Sequence, residues 1–282
     1  MTLAILPFDK RERIYTGMRI YISPESITKK IGIAVPPDKS RHLMTVMRCK
    51  YGDELTVIDG RGKAYLARIS DIRKKTVMID ILSETIQDAE SPVPIILCQG
   101  ILKGDKMDLV IQKATELGIS EIIPAISVRC QVKETRKTQR WRKLAEEAAE
   151  QCGRAVIPDV REPQPFAGIF EMPAIEHAAA RLIFWEGGGI SLDEAMEKTA
   201  ISSGISAGTT DITADVTTER AVVIFIGPEG GFASSEIEAV ESRGIIRATL
   251  GKRILRAETA AIAAVTLVQF LAEKKASHNR KV

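Results

Sequence analysis

AVVIFIGPEGGF, Ala221 to Phe232, decides the fold: an unbroken apolar run passes straight into a glycine-rich turn. Such a run is short and rich in β-branched residues, so it reads as a strand buried on both faces. The turn Gly227-Pro228-Glu229-Gly230-Gly231-Phe232 then opens a helix, for which Ser235-x-x-Glu238 is a capping-box pattern. Strand–turn–helix units of this kind build parallel sheets covered by helices, and ligands bind at the carboxyl ends of their strands. Glycines let a ligand approach the backbone, and the amides of a helix start are free to bind an acceptor. A tight strand-to-helix turn without a ligand explains the spacing equally well.

The same grammar extends outward. IILCQG (95–100), EIIPAIS (121–127), RLIFWE (181–186) and IIRATL (245–250) are further strands. Asp105 to Leu117 is helical, with Met107, Val110, Ile111, Ala114 and Leu117 on one stripe and Gly118 as C-cap. Lys137 to Cys152 is a second helix with Trp141, Leu144, Ala145, Ala148 and Cys152 facing inward. Leu255 to Lys274 is apolar almost all round and predicts a helix sandwiched in a core or interface. Upstream, IYIS, IGIAV, ELTVID, AYLARIS and TVMIDIL, punctuated by PPDKS, YGDE and DGRGK, predict a small barrel or sandwich between Arg19 and Leu82. Ser83 to Pro94 reads as a linker and Ala200 to Thr218 as a mobile insertion loop. Residues 1–17 are an extension to which no function is assigned.

Composition removes other classes. The 282 residues suit one or two domains, and 45% hydrophobic residues exclude disorder as the main state. Cys49, Cys98, Cys130 and Cys152 form no Cys-x-x-Cys, so a zinc knuckle, a thioredoxin motif and a disulfide scaffold are not expected. No apolar run approaches the ~20 residues of a membrane span, and the start lacks a signal-peptide pattern. A reduced, soluble, intracellular protein is expected. The net charge of +3 is unevenly spread. Residues 1–85 carry 16 Lys and Arg against 10 Asp and Glu, whereas the remainder carries 24 against 27. A basic third suggests a nucleic-acid partner or is an ordinary solvated surface.

Neither G-x-x-x-x-G-K-[ST] nor G-x-G-x-x-G occurs, which excludes a P-loop and counts against a Rossmann dinucleotide site. Three strand ends could converge: Trp185-Glu186-Gly187-Gly188-Gly189, the 227–231 turn, and Leu250-Gly251-Lys252-Arg253-Ile254-Leu255-Arg256. A pocket of glycines, backbone amides and apolar groups without a phosphate clamp suits a neutral or zwitterionic adenosyl ligand. Arg129, Lys133, Arg136, Lys137, Arg140, Arg142 and Lys143 precede Glu146 to Arg154, either as a phosphate track or as a solvated helix face with Lys/Glu pairs. The histidines are His42, His177 and His278; no H-E-x-x-H exists, so no metal is expected. His42 is an RNA contact or a packed imidazole.

GPEGGF (227–232), LGKRILRAETA (250–260), QKATELGI (112–119), EEAAEQCGR (146–154) and RHLMTVMR (41–48) together resemble the RsmE family. Its members methylate N3 of a uridine in bacterial small-subunit ribosomal RNA. The likeness runs from about Met18 to Lys274, so residues 1–17 are extra and the 200–218 loop is longer than usual. It implies a PUA-like RNA-binding β-barrel over 18–84, a linker over 85–94, and a SPOUT domain, an α/β trefoil knot, over 95–275. It further implies S-adenosylmethionine as cofactor, 16S ribosomal RNA or the small ribosomal subunit as partner, a cytoplasmic homodimer, and no membrane. The cofactor residues implied are Phe184, Trp185, Glu186, Gly227, Pro228, Glu229, Gly230, Gly231, Leu250, Gly251, Ile254, Leu255 and Thr259. Arg256 and Arg154 are expected as catalytic cations near charge developing on the uracil. Glu258 is either a base or a helix-dipole partner. Arg19, His42, Arg48, Arg136 and Arg140 are the expected RNA contacts. The alternatives are a SPOUT enzyme acting on ribose 2′-hydroxyl or tRNA, and a non-catalytic RNA-binding ribosome-assembly protein.

Overall fold

A computed structural model describes residues 18–85, 89–199 and 221–279. The 1–17 extension and the 200–218 insertion lie outside the described residues. The chain divides into two compact units, residues 1–59 with 63–86, and residues 60–62 with 87–282.

The first unit contains β1 (Arg19–Tyr21), β2 (Ile33–Ala34), α1 (Pro37–Thr45), β3 (Glu54–Ile58), β4 (Ala64–Arg73) and β5 (Thr76–Thr85). Its sheet has the order β1-β3-β4-β5-β2, antiparallel except for the β1–β3 pair. Ile20, Leu55, Val57, Ile69, Val77 and Ile79 alternate inward with Leu43 of α1 to form the core. Helix α1 stands where the strand pattern offered only punctuation. PPDKS reads as punctuation, but Pro37 occupies the first turn, where its fixed φ suits a helix and its missing N–H costs nothing. β5 also continues to Thr85, past the expected linker start, because its last residues pair with β4.

The second unit contains β6 (Ile95–Gly100), α2 (Lys106–Glu116), β7 (Glu121–Ile126), α3 (Thr138–Cys152), β8 (Asp159–Val160), β9 (Gln164–Pro165), α4 (Phe166–Ile169), α5 (Pro173–Glu176), β10 (Ala180–Phe184), β11 (Ile190–Ser191), α6 (Leu192–Glu197), β12 (Val222–Ile226), α7 (Ser234–Glu241), β13 (Ile246–Thr249) and α8 (Ala257–Asn279). The strand order is β11-β13-β10-β12-β6-β7-β8, with β9 also on β7, and every ladder is parallel. Period-two alternation splits the strands between two cores. Ile95, Leu97, Val222, Ile224 and Ile226 face α2, α3, α6 and α8; Ile96, Cys98, Val223 and Phe225 face α4 and α7. The chain leaves β12, reaches β13 beyond β10, and returns in α8 to pack on β12 and β6. That interleaving is what the expected trefoil knot requires.

α8, expected from its composition to be sandwiched in a core or an interface, has one face in the core. Ala261, Ala264, Val265, Val268 and Ala272 are buried along one stripe, whereas Leu267 and Phe270 are exposed. Among the described residues, no helix is long and apolar enough to cross a membrane.

Candidate active site

Parallel pairing puts every carboxyl end of the sheet on one edge. Phe184 pairs with Ile226 and Ala248, and Ile226 pairs with Gln99, so the loops after β13, β10, β12 and β6 stand side by side in that order. β7 adds the loop starting at Ser127, since Gly100 pairs with Ala125.

The 227–231 turn is held from all sides. Gly231 has φ +67 and donates its amide to the Pro228 carbonyl at 2.9 Å. A Cβ there would lie 2.4 Å from Oε1 of Glu186, so the loop after β10 presses directly on this turn. Behind it, a Cβ at Gly100 would lie 2.4 Å from the Pro228 nitrogen, a backbone contact that cannot yield. Phe232 is buried against Phe166 and anchors the turn in the second core. Glu229 turns its carboxylate outward to the Lys103 amide at 3.0 Å and Lys106 Nζ at 3.3 Å. Partial burial pushes this carboxyl up, but the Lys103 and Glu229 amides and the Lys106 ammonium outweigh it and hold it below its ordinary value.

Helix α7 is capped differently from the Ser235–Glu238 expectation. Glu236 accepts from the Ala233 amide at 2.9 Å and from the Val128 amide at 2.8 Å. The helix begins one residue before Ser235, which puts a glutamate in the position that reaches back. Arg129 donates to the Gly230 carbonyl at 3.2 Å and approaches Glu186 at 4.0 Å. The β7 loop is thus part of the site.

Of the other expected cofactor residues, Phe184 lies in the first core and Leu250 packs against it. Trp185 is half-buried, with Arg247 5.5 Å above its ring. Gly251 has φ +108 and exchanges bonds with the Thr249 hydroxyl. Ile254 is 85% exposed, Arg256 and Thr259 are exposed, and Leu255 is half-buried. Glu258 sits in the first turn of α8 with Oε2 buried and no hydrogen-bond partner.

Arg154 is the main correction. Its guanidinium is buried and donates to Glu90 at 2.7 and 3.0 Å and to the carbonyls of Thr115 and Ile119 at 3.0 and 2.8 Å. Those groups precede β6 and β7, so Arg154 sits at the opposite edge of the sheet, about 20 Å of strand away. All three of its nitrogens are bonded within the fold. Glu90 also accepts the Val156 amide at 3.1 Å, and Val93 is buried, so these residues of the expected linker are built into the second unit.

Among the expected RNA contacts, Arg19 is half-buried on β1, His42 and Arg48 are exposed at the end of α1, and Arg136 is exposed before α3. Arg140 is diverted into an ion pair with Asp108 at 2.7 Å. Sequence reasoning missed Gln99 and Ser127. Gln99 is fully buried at the end of β6; its Nε2 donates to the carbonyls of Gly100 and Gly227, while its Oε1 has no partner. Ser127 at the end of β7 likewise has an unbonded buried hydroxyl. A polar residue closing an apolar strand was the available signal. Among the described residues, no His, Cys, Asp and Glu cluster could hold a metal.

A family model for an RNA methyltransferase domain matches residues 89–269, and one for an RNA methyltransferase PUA domain matches 35–82. The chain is 27% identical over 259 residues to ribosomal RNA small subunit methyltransferase E of Bacillus subtilis, covering 90% of this chain and 96% of the relative. Its identity to the protein of that name from Rickettsia conorii is 31% over 261 residues, covering 90% and 95%. Among solved structures, the Neisseria gonorrhoeae ribosomal RNA small subunit methyltransferase E bound to S-adenosyl methionine superposes with TM-score 0.75 at 32% identity, covering 90% and 97%. A Legionella pneumophila protein in complex with the cofactor SAM superposes with TM-score 0.75 at 31% identity and the same coverage.

Proposed function

The chain belongs to the ribosomal RNA small subunit methyltransferase E family, and from that premise we propose that it methylates N3 of a uridine in 16S ribosomal RNA, using S-adenosylmethionine. Its second unit has the parallel α/β architecture of a SPOUT methyltransferase and its first the sheet of a PUA-like module. One observation carries the reading: adjacent parallel strands bring three glycine-containing loops to one edge, and in two of them an added Cβ would meet the Arg247 backbone, at Gly189, or Glu186, at Gly231. That edge also keeps buried polar atoms without partners, Trp185 Nε1 and Glu258 Oε2 among them, as a site for a polar adenosyl group would.

When bound, S-adenosylmethionine supplies a sulfonium methyl for in-line transfer to a nucleophile. Gly227, Gly230, Gly231, Gly251 and Leu255 are the residues that would hold it, with Trp185 and Glu186 across the turn. Positioning dominates such a displacement. Uridine N3 carries a proton, which must leave, and the resulting negative charge on the uracil needs a cation. Arg256, exposed at the end of the β13 loop, takes that role, and Glu258 two residues on is the candidate acceptor for the proton. Arg154 is assigned to the fold instead.

We take 18–84 as the RNA-binding module, with His42 and Arg48 as contacts, and 95–275 as the catalytic domain, with Arg136 as a further RNA contact. The exposed apolar face of α8 at Leu267 and Phe270 suits a homodimer contact, in a cytoplasmic enzyme acting on RNA or the small subunit. The test is incubation with labelled cofactor and unmodified small-subunit RNA or particles, then mapping of the methyl group. A strong reverse-transcriptase stop at one uridine is expected, because N3 methylation blocks pairing. Label on a ribose or on tRNA would replace this reading with a related enzyme. Absence of cofactor affinity would leave only an RNA-binding protein.

A further inference from the structure

We propose that the turn following α1 in the first unit is a platform on which an unpaired RNA base stacks, with Tyr51 as its aromatic face. This rests on RNA being the substrate and specifies its form at this surface: single-stranded, with bases available. After Thr45 the chain wraps back on its own helix. The Met47 amide donates to the His42 carbonyl at 3.2 Å and the Cys49 amide to that of Leu43 at 3.0 Å. To make that return Arg48 takes φ +52, the one positive φ of a non-glycine among the described residues, and the Cys49 side chain is buried beside Leu43. Strain of this kind persists only where the surroundings over-determine it, and it concentrates where a side chain is being presented.

What is presented is unusual for a solvated turn. Tyr51 is 76% exposed, Val46 63% and Met47 37%, so three large apolar residues stand outside within six positions of the chain. Arg41, His42, Arg48 and Lys50 of the same stretch are exposed as well. The neighbouring carboxylate, Asp53, is turned to the Lys50 amide at 2.7 Å. Cations alone would suit the phosphates of a duplex, whose base faces are hidden. An exposed ring with aliphatic neighbours adds nothing there, but it matches the π-face of an unstacked base.

Fluorescence anisotropy of the full chain with a labelled single-stranded segment of small-subunit RNA, and with a duplex of equal length, across a salt series tests this. Tyr51→Ala should weaken single-strand binding by about 5- to 150-fold with the salt slope unchanged, and leave the duplex unaffected. Tyr51→Phe should restore binding. Arg48→Gln should instead lower the slope by about 0.7. Tyr51→Trp should show indole quenching when single-stranded RNA is added. Single-strand affinity of Tyr51→Ala within about twofold of wild type, equal losses on duplex and single strand, or an unquenched indole would each overturn the platform. Wild-type affinity for S-adenosylmethionine, measured by calorimetry, reads the catalytic assignment separately: its absence would sink that reading and leave the platform standing.

Discussion

The two edges of the parallel sheet differ in how Arg154 and Gln99 are bonded. At the amino edge Arg154 is buried with all three of its nitrogens bonded, to Glu90 and to the carbonyls that end α2 and precede β7. At the carboxyl edge Gln99, Ser127, Trp185 and Glu258 each keep a buried polar atom without a partner, and the Pro228 backbone leaves no room for a side chain at Gly100. A protein interior tolerates an unbonded polar group only where something else is gained, and four such groups gather at the carboxyl edge, against Gln269 Oε1 beside Gly118 at the other.

The contrast can be broken most directly at Arg154. Arg154→Met strands Glu90 in a buried position and should cost about 3–5 kcal/mol in urea unfolding, with cofactor affinity of the remaining folded protein kept. An unchanged unfolding free energy with activity abolished would return Arg154 to the catalytic site. Arg256→Ala should do the reverse. Methyl transfer should fall by about 10²–10³ while calorimetric cofactor affinity and stability stay near wild type. Equal turnover would remove Arg256 from the mechanism.

Gly100→Ala sharpens the comparison because it touches no expected ligand contact. Its Cβ collides with the Pro228 backbone, so the 227–231 turn must shift, and activity should drop by about 100-fold. A variant as active as wild type would show that the turn has slack. The smallest effect is expected at Glu229. Its lowered pKa means that it stabilises the turn fully above the ordinary carboxylate range near 4.5, and that this contribution fades as pH falls through the depressed value. Glu229→Gln should therefore lower stability at neutral pH and converge on wild type in acid, which flattens the acid limb of a stability-versus-pH curve. An identical acid limb in the variant would contradict the Lys103 and Lys106 contacts as the cause.

Much of the fold was legible because its signals are local. AVVIFIG, IILCQG and RLIFWE are strands since only a sheet covered on both faces accommodates unbroken β-branched runs, and α2 and α3 follow their apolar stripes to within a residue or two. Helix α1 was missed because its nine residues are mostly polar and its start, Pro36 as cap and Pro37 as first residue, mimics a turn. The candidate site was legible in its glycine loops, since chain approach demands glycine. It was not legible in Gln99, Ser127 or Arg129. Their relevance comes from strand neighbours more than 100 residues away, such as the Gln99 bond to Gly227.

Sequence by itself determined the layer architecture, the strand ends that carry chemistry, and the family. Those follow from periodicity and from glycine, which act within a few residues. Tertiary structure alone decided that Arg154 belongs to the fold while Glu258 and Gln99 face the working edge. Whether a polar group is satisfied depends on which distant strands pair beside it, and a buried arginine and a catalytic one read the same in sequence.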